Sequence, residues 1–184
     1  MKTSNQGVAL IKRFEGCVLK AYKAVASEEY WTIGYGHYGP DVHQGDIITK
    51  ERAEELLRGD LARFEQAVEK AGMWSQSEFD ALVSFTYNCG AGNLQKLTKG
   101  RTHAQIADAM LLYVKAGGLV LQGLVRRRKA ERELFLADPL VIVTPKPKVD
   151  KSVDSVEKKK AGGTTRTRKT TKKTNTQFDA ATPK

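Results

Sequence analysis

Glu15 is the residue whose type and position most directly suggest chemistry: it ends an apolar-periodic stretch and stands immediately before Gly16. A carboxyl group at the C-terminal end of a helix faces the negative end of the helix dipole, an effect of roughly 0.3–1 kcal/mol that favours its protonated form. Partial drying of the site would add to that shift and keep a carboxylic acid protonated near neutral pH, the state a general acid requires. An acid at a helix end is also commonly just a solvated charge, so Glu15 alone does not decide between the two readings. Cys17, two residues on, invites a nucleophile reading, but no histidine or helix N-terminus stands nearby in sequence to lower its pKa. Two cysteines (Cys17, Cys89) and three histidines (His37, His43, His103) have no metal-site spacing, so neither a metal nor another cofactor is expected.

The elements that must position Glu15 are mostly helical. Val8, Leu10, Ile11 and Phe14 follow helical spacing over 5–15, with Gly16 as C-cap. A long helix is expected over 50–71, with Leu57, Leu61, Phe64 and Val68 on one face, acids at Glu51, Glu54 and Glu55 near its start, and Gly72 closing it. Ser75 and Glu78 form a capping box for a third helix that carries Phe79, Leu82 and Val83 and stops at Gly90. Two more helices are expected over 103–115 and 122–137, separated by Gly117-Gly118. Residues 30–39, YWTIGYGHYG, alternate β-formers with glycine and predict a short hairpin. The expected class is α+β, mostly helical, with a small sheet near the N-terminus.

Net charge is concentrated at one end. Of the formal +10, residues 145–184 carry +8 (12 Lys or Arg, 4 Asp or Glu), leaving +2 on residues 1–144. That Lys/Thr-rich tail has one aromatic residue and no amphipathic period, so it is expected to be disordered, with the domain boundary near Pro145. No stretch approaches the roughly 18 apolar residues of a membrane span, and MKTSNQGVALIKRFEG lacks the apolar region of a secretory signal. The expectation is a soluble protein made in a reducing compartment.

Several separated matches, in order, give the chain a family resemblance: FEG (14–16), LKAY (19–22), WTIGYGH (31–37), QSEFDALVSFTYNCGAG (76–92) and GGLVLQGLVRRRKAERELF (117–135). Over about residues 4–137 it resembles the phage-type lysozymes, the muramidases of glycoside hydrolase family 24. The resemblance implies a small sheet lobe and a helical lobe joined by a long helix, with the cleft between them. It implies hydrolysis of the β-1,4 bond between N-acetylmuramic acid and N-acetylglucosamine in peptidoglycan, by an endolysin that lyses the host. Glu15 matches the catalytic glutamate, which protonates the glycosidic oxygen. Thr32 matches the threonine that holds the attacking water, and His37 the histidine closing the glycine-rich segment, where Gly34 and Gly36 leave room for close approach to a sugar. Asn88 is a candidate sugar contact. An arginine of the Arg126-Arg127-Arg128 triplet is implied to meet the glutamate, without a choice among the three; otherwise the triplet reads as a solvated basic face. Arg127 is carried as a cleft-binding candidate.

One departure stands out. The family's second residue, usually Asp and sometimes Cys, falls on Ala24 counted forward from Glu15 and on Ala26 counted back from Thr32. The loop is two residues longer than usual and holds Ser27, Glu28 and Glu29, so Glu28 or Glu29 is the candidate replacement, and Glu29 is favoured for its closeness to Thr32. The rival reading is a lysozyme-fold protein that binds peptidoglycan without cutting it. Trp31 and Trp74 read as core, Cys89 as a packed thiol. As a monomer, the protein is expected to wait in the host cytoplasm until a holin opens the membrane. The basic tail reads as a solubilising appendage or a tether to anionic envelope polymers; nucleic-acid binding is disfavoured because nothing there could read bases.

Overall fold

The structure, a computed structural model, describes residues 1–138. The basic tail and the boundary near Pro145 lie outside the described residues. In chain order the elements are α1 (Asn5–Glu15), β1 (Val18–Tyr22), β2 (Trp31–Gly34), β3 (His37–Gly39), α2 (Lys50–Ala71), α3 (Gln76–Cys89), α4 (Ala91–Thr98), α5 (His103–Met110), β4 (Lys115–Ala116), β5 (Leu119–Val120) and α6 (Gln122–Ala137). The mostly helical α+β class agrees with the sequence expectation. No described helix is long and apolar enough to cross a membrane.

The centre of the molecule is α3, buried on every side from Ser77 to Thr86. A helix apolar or satisfied all round belongs inside a domain rather than on its surface, and each polar residue of α3 finds a partner. Ser75 caps the helix at Glu78 N–H while the Glu78 carboxylate accepts Ser75 N–H at 2.9 Å and meets His103 Nδ1 at 2.6 Å. Asp80 accepts the Ser4 N–H at 2.9 Å as well as the Ser4 hydroxyl. Phe79, Phe85 and Phe135 are fully enclosed around this helix, and truncating any one to alanine would cost about 3–5 kcal/mol.

Helix α1 is pinned at its start by its neighbours α2 and α3. Ser4 caps it; Thr3 donates N–H and hydroxyl to Glu65 of α2 at 2.8 and 2.9 Å. At Gly7 the helix lies so close to α3 that a Cβ would sit 2.8 Å from Asp80 Cβ. Gly16, at φ +70°, stops α1 and turns the chain into β1, so Glu15 occupies its last position.

The small sheet has strand order β1-β2-β3, all antiparallel, with Thr32 opposite Tyr22 on one side and Tyr38 on the other. It closes over its own cluster of Ala21, Ile33 and Val42, against which Trp31, Ile48 and Leu56 pack.

Two sequence expectations are corrected. The helix expected over 103–115 ends at Met110; the chain then makes turns at 111–113 and forms the β4–β5 hairpin. Gly117 and Gly118, at φ +57° and +81°, form its reversal, the conformation that two-residue hairpin loops require. Helix α4, absent from the sequence reading, starts at Gly90 with no side-chain cap.

Candidate active site

Glu15, at the end of α1, has a side chain 23% exposed, and Arg127 of α6 donates from Nη1 to its Oε1 at 2.5 Å. Both line a cavity of about 570 Å³ with Arg13 and Phe14 of α1, Asn88 of α3, and Leu121, Leu124 and Arg126 around the start of α6. The triplet thus resolves into three different roles. Arg126 is exposed at the cavity wall. Arg127 and Arg128 are buried, which corrects the reading of the triplet as a solvated face.

What keeps two guanidinium groups inside the protein is Glu131. Its Oε1 accepts from Ser84 Oγ at 2.7 Å, Arg127 Nε at 3.0 Å and Arg128 Nη2 at 3.1 Å, and its Oε2 pairs with Arg128 Nε at 2.9 Å. Burial pushes the Glu131 carboxyl up, and the two guanidinium groups and the Ser84 hydroxyl oppose it. The hydrogen-bond donors converge on Oε1, whereas Oε2 has only the ion-pair contact with Arg128 Nε and neither of those two atoms finds a hydrogen-bond partner. Each Arg127 nitrogen has a protein partner: Nη1 serves Glu15, Nε serves Glu131, and Nη2 donates to the Ser84 carbonyl at 3.2 Å. The structure thus sets Arg127 against Glu15 at the cavity wall. Arg128 holds the end of α3, donating from Nη2 to Asn88 Oδ1 at 2.9 Å and from Nη1 to Cys89 Sγ at 2.8 Å. Asn88 remains exposed at the cavity wall, its carbonyl committed to Arg128 and its amide turned to no protein acceptor among the described contacts.

Glu131 escaped the sequence reading. The signal was its i+4 and i+3 spacing from Arg127 and Arg128 beside Leu134 and Phe135, but such pairs are usually surface ones. Tyr87, also missed, donates its hydroxyl to the Tyr35 carbonyl at 2.8 Å and so ties α3 to the turn between β2 and β3. Burial and the charges of Glu15 and Asp60 push its pKa up to about 12, so it stays a donor throughout the working pH range.

The remaining candidates lie on or beside the sheet and do not line that cavity. Thr32 is half-buried on β2. Glu28 spends one carboxylate oxygen on the Ala24 N–H at 2.9 Å, and its carbonyl accepts from Lys23 Nζ at 2.7 Å, which closes the loop on itself. Glu29 is exposed, beside Tyr30, whose hydroxyl it raises. His37 is a brace in the structure: Nδ1 meets Asp60 of α2 at 2.9 Å and Nε2 meets Asp41 at 3.0 Å, which occupies both nitrogens. Burial alone would push His37 down, but the two carboxylates outweigh it and raise it above the usual histidine range. Gly34, at φ +66° with a Cβ position 3.3 Å from Ala53 Cβ, lets β2 approach α2. Trp74 is buried and donates to the Val68 carbonyl at 2.9 Å, Trp31 packs in the small cluster, and Cys17 is half-buried against the main core. Cys89 is half-buried, and burial raises its thiol. Among the described residues, no group of three or more His, Cys, Asp or Glu could hold a metal ion.

The chain is similar to known phage endolysins. The chain is 47% identical over 169 residues to an endolysin of Bacillus phage B103, covering 86% of this chain and 64% of that one. It is 50% identical over 143 residues to an endolysin of Bacillus phage PZA, covering 73% and 55%. It thus spans between about half and two thirds of those relatives' length. Among solved structures, the muramidase domain of SpmX from Asticaccaulis excentricus superposes with a TM-score of 0.65 at 37% identity, covering 74% of this chain and 99% of that one. The family description that matches residues 12–131 is that of phage lysozyme, and the chain belongs to the phage lysozyme family.

Proposed function

We propose that the chain is an endolysin muramidase, hydrolysing the β-1,4 bond between N-acetylmuramic acid and N-acetylglucosamine in bacterial peptidoglycan to lyse the host. The observation that carries the reading is Glu15 at the edge of a 570 Å³ cavity with a buried guanidinium fixed against it. Glu15 donates its proton to the glycosidic oxygen as the bond breaks. That transfer leaves a carboxylate behind, and a preorganised cation 2.5 Å away stabilises the charge as it develops. Thr32 and a loop carboxylate hold the attacking water. Glu29 suits that role better than Glu28, whose carboxylate is already engaged by the loop backbone. Asn88 contributes its exposed amide to the sugar.

Residues 145–184, which carry +8, tether the enzyme to anionic envelope polymers. Deleting them should weaken wall lysis at low salt and restore parity as salt rises; equal lysis at every ionic strength would remove the tether. The enzyme works as a monomer and reaches the wall from the host cytoplasm through a holin.

The test is digestion of purified peptidoglycan with separation of the products. New reducing ends on N-acetylmuramic acid, with falling turbidity, are expected. Binding to the wall with no new reducing ends would leave a lysozyme-fold wall-binding protein instead.

A further inference from the structure

Glu131 is a buried charge that the proposed mechanism does not use, one residue removed from the acid. It touches no cavity wall, yet it is fully enclosed and joins both inner arginines to α3. Of the two buried cations, Arg127 meets Glu15 directly, and Arg128, its neighbour on α6, meets Asn88, Cys89 and Glu131. Glu131 cancels one of those charges and, through Nε, fixes the plane of Arg127 so that Nη1 points at Glu15.

We propose that Glu131 is a positioning residue that sets the pH range of catalysis, by fixing Arg127 against Glu15 and countering the charge of the two buried guanidinium groups. The proposal rests on the reading of Glu15 as the general acid. An acid catalyst must be protonated at the start of the reaction and ionised after it, so a cation beside it helps the second condition and harms the first. Arg127 alone is a compromise between the two. Removing the Glu131 charge leaves the guanidinium charge beside the acid uncompensated, which favours the second condition at the expense of the first.

The other groups facing this network leave that balance to the four charges. Glu15 is faced by Tyr87 of α3, protonated up to about pH 12, and shares its cavity with Arg13 of α1 and Arg126 of α6, both at the solvent-exposed wall. Glu131 is faced on its own helix by Arg127 and Arg128, and from α3 by Ser84 and by Cys89, whose thiol burial holds in the neutral form.

The experiment measures reducing-end release from peptidoglycan across pH for three variants, at a temperature where each is shown to be folded. Glu131→Gln keeps the shape and removes the charge. Its alkaline limb should move to lower pH by about one unit, the size of effect one charge exerts across a single side chain at an effective dielectric near 20. Arg128→Gln removes the second cation, and its limb should move the opposite way. The double variant, neutral at both positions, should return close to wild type. A clasp that only holds the fold would lower the melting temperature of each variant and leave all limbs coincident, and that result would overturn the proposal. Should Glu131→Gln not fold, Arg128→Gln carries the same test with the opposite sign. Failure of the acid assignment is separable, because it would show as full activity in Glu15→Gln whatever the limbs do.

Discussion

Replacing Arg127 with leucine should damage stability and rate together, and the structure sets the size of both. The guanidinium side chain is 4% exposed and serves three acceptors, Glu15, Glu131 and the Ser84 carbonyl. Removing one partner of a buried ion pair costs about 3–5 kcal/mol because the other charge is stranded. Here Arg128 still covers Glu131, and Glu15 is exposed enough to hydrate, so the low end, about 3 kcal/mol, is expected. For an ordered region of this size that corresponds to a fall in Tm of roughly 10 °C. The rate should fall about a hundredfold further, measured where the variant is fully folded, because an acid free to swing loses its alignment with the glycosidic oxygen. Lysine cannot rescue either effect, having one point charge for three acceptors. The exposed neighbour provides the control: Arg126→Leu should melt within about 0.5 kcal/mol of wild type. Urea melts followed by circular dichroism and turbidity loss of purified walls measure the two quantities. An Arg127→Leu protein that melts and lyses like wild type would refute the reasoning.

His37 has a raised pKa in the fold, so its contribution to stability is complete below the unfolded value of about 6.5 and is lost as pH rises through the folded value. The gap in unfolding free energy between wild type and His37→Asn should therefore shrink from pH 6 towards alkaline pH, and a constant gap would remove the charged brace. Gly34→Ala should cost about 2–3 kcal/mol, combining left-handed backbone strain with a Cβ pressed 3.3 Å from Ala53, whereas Gly45→Ala, at φ +91° in open space, should cost only the backbone share; equal urea midpoints would contradict this. Glu29→Gln should slow wall hydrolysis more than Glu28→Gln, and full activity in both single variants and the double variant would exclude a loop carboxylate from the mechanism.

The helices that frame the site were legible wherever local signals agreed with burial. The boundaries of α1, α2 and α6 match the residues read from periodicity, and the Ser75–Glu78 capping box forms as expected because cap chemistry is set by four adjacent residues. Legibility failed where structure depends on distant partners. Helix α4 has no capping side chain, and Gly117-Gly118 looked like a break between helices when it is the turn of a hairpin. The site shows the same division. Glu15 was picked out by the FEG match to the family, its place before Gly16 being a weak signal alone, and nothing local distinguishes Arg127 from Arg126: only the packing of α6 on α3 turns one inward and leaves the other in solvent. The brace at His37 was not legible either, since the carboxylate that binds its Nδ1, Asp60, lies 23 residues away on α2.

The central claim is that Glu15 is the proton donor, and Glu15→Gln tests it most directly. The amide keeps the side chain's shape and its acceptor for Arg127 but cannot ionise, so the variant should melt close to wild type. Reducing-end release from purified peptidoglycan should fall by at least about 10² to 10⁴, the usual worth of a general acid. A folded Glu15→Gln protein that cuts glycan strands at near wild-type rate would contradict the account.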